Sequence, residues 1–137
     1  MKYYIATSLA RAKSHNLVRD ALNGFGHEIS YDWTLHGSVK SISIDRLQEV
    51  AILELEGVLQ ADFVVVLLPG GKGTHLELGF AIAKDKKIFL HSEEPLPFEL
   101  GPETCAFYHH PDLTCLCCPL SEVASKVQSQ LILTSFV

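Results

Sequence analysis

Apolar and polar positions change rhythm repeatedly along this chain, and the changes predict strands alternating with helices. Residues 2–6 form a short apolar run of strand type. Residues 11–22 have helical spacing, which Asn23, Gly24 and Gly26 end. Residues 27–33 predict a second strand, and the polar stretch 34–41 predicts a loop. Helical periodicity returns over 44–59. Residues 62–68 are β-branched or apolar at every position after Asp62, the mark of a strand covered on both faces. A helix over 74–84 and a strand over 87–91 follow. The stretch 93–102 is rich in Pro and Glu and predicts a surface loop. A fifth strand is expected within 105–109, and a closing helix over 120–133.

This alternation implies βαβ units and a parallel sheet. Right-handed crossovers then put helices on both of its faces. The common strand order for such a sheet is 2-1-3-4-5, and ligands bind beyond the carboxyl ends of the strands. That rule selects the loops 7–14, 32–38 and 69–74. The chain has 137 residues, which suits one domain over 1–137.

Charge and composition narrow the partners. A net charge of −5 argues against binding a nucleic-acid polymer, which needs a basic face. The opening apolar run is too short for a secretory leader, and no run is long enough to span a bilayer. A cytoplasmic protein without membrane contact is the expectation. The four cysteines, Cys105, Cys115, Cys117 and Cys118, read as reduced thiols. Cys-x-Cys-Cys near His109 and His110 lacks the paired spacing of a zinc site, so no metal is expected. No cofactor is expected either.

The densest chemistry lies in Leu68-Pro69-Gly70-Gly71-Lys72-Gly73-Thr74-His75-Leu76-Glu77-Leu78-Gly79. A buried strand runs into a glycine-rich turn that opens a helix. Gly70, Gly71 and Gly73 let backbone N–H groups approach a ligand, and the helix N-terminus adds its positive dipole end. It is neither a Walker A loop nor a dinucleotide fingerprint. Glu77 has two readings here. With Thr74 it completes T-x-x-E, a capping box that serves only backbone donors. Alternatively it projects into the ligand crevice as a nucleophile.

Glu54 is a second carboxylate of interest. Helical spacing groups it with Leu47, Ala51 and Val58 on an apolar stripe, where a charge is costly unless paired or used. Two carboxylates at one site suit glycosidic chemistry: one attacks and the other orients the sugar or manages a proton. Tyr4 can position Glu77 or simply fill the core. Asp32 and Trp33, expected at the end of strand two, can read and stack a base or cap and pack. Ser8 and Arg11 follow strand one, where phosphate is often held, though Arg11 also suits an ordinary first helical turn. His75 beside the turn reads as a solvated helix residue.

At these residues the chain resembles the nucleoside 2-deoxyribosyltransferase family, which includes the 2-deoxynucleoside 5′-phosphate N-hydrolases. The resemblance runs from Tyr4 to about Leu90. It is carried by Ala61-Asp62-Phe63-Val64-Val65-Val66 and by Gly73-Thr74-His75-Leu76-Glu77-Leu78-Gly79-Phe80-Ala81. It implies a flavodoxin-like (Rossmann-like) three-layer sandwich with a five-stranded parallel sheet. It also implies a covalent 2-deoxyribosyl ester on Glu77, assistance from Tyr4, sugar binding at Glu54, and assembly as a homo-oligomer. The chain departs from the pattern in four ways. The hydrolases' Ser-Gly-Arg segment, contributed by a neighbouring subunit, has no counterpart in 93–101. The family's sugar-binding aspartate is a glutamate here. The stretch 70–72 lacks the acid that transferases carry before the nucleophile. Arg11 is shifted by one from the phosphate-loop arginine.

The expected function is cleavage or transfer of the N-glycosidic bond of a small nucleoside or nucleoside 5′-monophosphate, with hydrolysis favoured. The rival from another class is a nucleotide-binding sensor or regulatory module that kept the fold and lost turnover. A flavin-binding or receiver-type module is a third reading, and the lack of an acidic cluster after strand one argues against a receiver.

Overall fold

The computed structural model describes residues 1–135. Its strands are β1 (Lys2–Ala6), β2 (Glu28–Ile29), β3 (Phe63–Leu67), β4 (Lys87–Ser92) and β5 (Leu113–Cys117). Its α-helices are α1 (Ala12–Gly24), α2 (Ile44–Gln60), α3 (Lys72–Ala83) and α4 (Val123–Ser135). The strands form one sheet in the order β2-β1-β3-β4-β5, parallel at every pairing. The α/β fold and the strand order are those the sequence predicts.

β3 lies at the centre, and every one of its side chains is buried, as its unbroken apolar run requires. Alternation along β1 and β3 splits the core in two. Tyr3, Ile5, Phe63, Val65 and Leu67 pack against Val18 and Leu22 of α1 and Val123, Val127 and Leu131 of α4. Tyr4, Ala6, Val64 and Val66 pack on the other face against Val58 of α2 and Leu78 and Ala81 of α3.

Several elements differ from the sequence reading. β2 stops at Ile29 instead of running to Trp33. Ser30 Oγ donates to the carbonyls of Tyr3 and Gly57, and Asp32 caps a 3-10 turn at Trp33–Leu35, so the chain leaves the sheet. The fifth strand is not at 105–109, where Ala106–His109 form a 3-10 turn. Only Tyr108 of that turn is buried, while Phe107 stays 62% exposed. The strand is Leu113–Cys117, whose alternation sends Leu116 into the α4 side of the core. The β4–β5 crossover therefore has 3-10 turns where an α-helix would be expected.

On α2 the buried positions are Val50, Gly57 and Val58, with Glu54 half-buried beside them. Ala51 is exposed and lies outside that stripe, while Leu47 is exposed at the edge of the cleft that Val50 and Glu54 also line. The expected stripe holds for Leu47 and Val58 and fails for Ala51, because α2 also carries exposed apolar residues elsewhere, among them Ile44, Ile52 and Leu59. No helix among the described residues is long and apolar enough to cross a membrane.

Candidate active site at the carboxyl end of the sheet

A cleft of about 790 Å³ opens beyond the carboxyl ends of the central strands. Three segments wall it. Thr7 to Ala10 follow β1; Trp33, Val39 and Lys40 belong to the β2–α2 loop; Gly71 to Thr74 open α3. Leu47, Val50 and Glu54 of α2 close the side, and Glu77 lies within. Each of the three loops that the parallel-sheet rule selects contributes to these walls, while Val39, Lys40 and the α2 residues lie outside the selected ranges.

Glu77 is not a capping residue. α3 begins at Lys72 with Gly71 as its N-cap, so Thr74 is already inside the first turn. The hydroxyl of Thr74 accepts from Gly71 N at 3.2 Å and makes the cap, and Glu77 Oε2 bonds to no backbone donor. The tight turn explains Gly70 as well: a Cβ there would stand 2.4 Å from Thr74 Cγ2. Glu77 is 6% exposed, and its Oε2 is buried without a hydrogen-bond partner. Burial pushes its carboxyl from 4.5 to about 8; the Tyr4 phenol pulls it down, and the Glu54 carboxylate adds to the rise. Glu54 is raised too, by burial, with His36 opposing. At neutral pH Glu77 is thus held mainly in its protonated form, and Glu54 is pushed in the same direction.

Tyr4 is fully buried, and its Oη has no hydrogen-bond partner. Burial first, then the charges of Glu77 and Glu54, hold its pKa well above the ordinary value. It is thus a fixed neutral donor beside Glu77. The two groups affect each other's titration without closing a hydrogen bond of good geometry. Gly57 sets this proximity. A Cβ there would lie 2.6 Å from Tyr31 Cβ and 3.1 Å from the Tyr4 ring, so only glycine lets α2 lie this close to β1.

The scan against family models found no match, and no curated protein matches. Among solved structures, a CMP N-glycosidase from Clostridium botulinum is 18% identical, with 94% of this chain and 99% of that chain covered, at a TM-score of 0.60. A 2-deoxyribosyltransferase from Bacillus psychrosaccharolyticus is 20% identical, with 90% of each chain covered, at a TM-score of 0.64. The chain shares their fold.

The structure brings Ser8, Trp33, Glu54, Gly71, Gly73, Thr74 and Glu77 to the cleft, with Tyr4 behind Glu77. It does not bring Asp32, Arg11 or Gly70 there. Asp32 accepts from Arg19 Nη1 at 2.8 Å and from Thr34 N at 3.0 Å. Burial raises its pKa, but these hydrogen bonds outweigh burial and leave it lowered. Arg11 Nη1 donates to the Leu68 carbonyl at 2.7 Å and braces the strand end. Trp33 lies in a 3-10 turn, 3% exposed, with Nε1 donating to the Ile5 carbonyl and His15 edge-on to its ring. It forms a fixed wall of the cleft. Sequence reasoning missed His36, Lys40 and Lys72. His36 stands close enough to Glu54 to lower its pKa, its Nδ1 is engaged with Gly37 O, and its Nε2 is buried without a partner. His36 falls within the selected loop 32–38, which was the available signal. Among the described residues no cluster of three or more His, Cys, Asp or Glu is disposed to hold a metal.

Proposed function

We propose that this protein cleaves or transfers the N-glycosidic bond of a nucleoside or nucleoside 5′-monophosphate, with Glu77 as nucleophile. The observation that carries this reading is the buried, unpartnered carboxylate oxygen of Glu77 beside Glu54 in the cleft. The fold it shares with a nucleotide N-glycosidase and a deoxyribosyltransferase supports the same chemistry. In this reading the chain is a divergent member of the 2-deoxyribosyltransferase family.

The reaction has two steps. Glu77 attacks C1′, the C1′–N bond breaks, and its electron pair leaves with the base. The base takes the proton that the Glu77–Glu54 pair holds. Water then attacks C1′, the ester bond breaks, and the pair recovers a proton from that water. A second base in place of water gives transfer. Positive charge developing on the sugar favours the ionised carboxylates, which burial disfavours. Tyr4 donates to Glu77 and orients it, Glu54 holds the sugar hydroxyls, and Trp33 offers an apolar wall to the base. The first-turn N–H groups at Gly73 and Thr74, with Ser8, Lys40 and Lys72, suit an oxyanion or 5′-phosphate. We favour hydrolysis, because residues 70–72 present no acid to hold an acceptor base.

A second copy is the partner we assign to the exposed apolar residues of α2. Ile44, Ile52 and Leu59 are exposed on a helix whose Leu47, Val50 and Glu54 line the cleft. Gel filtration giving only monomer would remove that assignment. Free thiols at all four cysteines support a reducing, cytoplasmic setting.

A second reading draws on the neutral Glu77 and the unclosed Tyr4 contact: a nucleotide-binding module without turnover. One experiment separates the two. Wild type and Glu77→Ala are incubated with deoxynucleosides, ribonucleosides and their monophosphates, with and without an acceptor base, and base release is followed by chromatography. Release by wild type that falls at least about a thousandfold in the variant supports catalysis. Tight nucleotide binding without release supports the module.

A further inference from the structure

The cleft's glycine-rich lip is held from outside by a relay that the mechanism above does not use. His75 Nδ1 is 2.8 Å from Gly71 O, and His75 Nε2 is 2.7 Å from Tyr108 Oη. A carbonyl only accepts, so Nδ1 carries the proton and Nε2 accepts from the tyrosine. Gly71 is thus fixed on both sides, its N–H by Thr74 Oγ1 and its carbonyl by His75. Tyr108 comes from the β4–β5 crossover and is 7% exposed. Its own carbonyl lies 3.6 Å from Cys115 Sγ of β5. Gly71, Lys72 and Gly73 are exposed, and the Gly71 carbonyl accepts from His75 N at 3.2 Å as well as from the ring, so both of its donors belong to His75.

We propose that His75 is a positioning residue which, with Tyr108, locks the Gly71–Gly73 lip in its ligand-binding form. The proposal rests on the glycosidic reading for its kinetic consequence only. The inner face of α3, with Thr74, Glu77, Leu78 and Ala81, is held by the core, so losing the relay leaves Glu77 in place. It frees the backbone donors of the lip. The effect therefore falls on substrate binding and leaves the chemical step intact.

Two substitutions divide the relay. Asparagine at 75 reproduces the Nδ1 donor to Gly71 but does not reach Tyr108. Glutamine reproduces the Nε2 acceptor but gives up the Gly71 bond. Each neutral hydrogen bond lost raises KM by about fivefold and leaves kcat within about twofold. His75→Gln, His75→Asn and Tyr108→Phe should each show this split, and His75→Asn with Tyr108→Phe should be no worse than either alone. Unchanged KM in His75→Gln and Tyr108→Phe, or a fall confined to kcat, overturns the proposal.

A measurement independent of turnover accompanies these. In ¹⁵N-histidine spectra of the wild type, neutral His75 should be protonated at Nδ1, and Tyr108→Phe should shift the Gly73 amide. A proton on Nε2, or an unmoved Gly73, contradicts the relay. Absence of base release from wild type with every substrate overturns the glycosidic reading alone, and these spectra still judge the relay.

Discussion

Tyr3 and Tyr4 are adjacent in β1, both fully buried, and they point to opposite faces of the sheet. Tyr3 Oη donates to Asn23 Oδ1 at 2.7 Å and lies 3.1 Å from Arg19 O, so α1 satisfies it completely. Tyr4 Oη has no partner, and the group it faces, Glu77, has a free oxygen too. A buried hydroxyl left unpaired costs roughly 1–3 kcal/mol. The fold meets that need on the α1 face and leaves it open on the α2–α3 face. Two residues of one type thus separate a satisfied face from one with unmet polar groups. Unmet polar groups around a cleft mark where a ligand completes the structure.

The comparison can be broken or sharpened at four places. The largest effect belongs to Glu77→Gln. The folded protein keeps a Glu77 proton that the unfolded chain loses, because the group is raised from 4.5 to about 8. Stability from this group is complete below the unfolded value and is lost as pH rises through about 8. Glutamine has no proton to lose. Its advantage over wild type in urea unfolding should grow through that window and level off at roughly 3–5 kcal/mol. A flat difference across pH contradicts the burial cost.

Tyr4→Phe comes next. It should lower kcat/KM about 10- to 100-fold, the cost of a hydrogen bond to a charged group, while unfolding stability stays within about 0.5 kcal/mol or rises. A large stability loss would show that Tyr4 is structural like its neighbour. Gly57→Ala should destabilise by about 2 kcal/mol and lower turnover as well, because the new methyl overpacks against Tyr31 and Tyr4 together. Tyr3→Phe is the smallest, about 1 kcal/mol of stability with turnover unchanged. A turnover loss there would erase the distinction between the faces.

The sequence makes some of this plain and hides the rest for physical reasons. β3 is legible because a strand covered on both faces needs an unbroken apolar run, and Phe63–Leu67 is one. β5 is hidden because it is an edge strand of Thr and Cys between Leu residues, and its cysteines read as a thiol cluster. Helical periodicity put Glu54 on a buried side of α2, but exposed apolar residues elsewhere on the helix blurred which neighbours share it. The Thr74–Glu77 spacing could not tell whether Glu77 caps α3, since that depends on the helix starting at Lys72. Asp32 and Arg11 looked like ligand groups from their loops, but Arg19 and the Leu68 carbonyl hold them as braces.

The most direct test is the mass of the protein during turnover. Wild type mixed with an accepted substrate is quenched in acid within the first turnover and digested, and the peptide carrying Glu77 is weighed. A glycosyl ester on Glu77, absent in Glu77→Gln, is the expected result. Base release with the peptide unmodified, or an adduct on Glu54 in its place, would contradict Glu77 as the nucleophile.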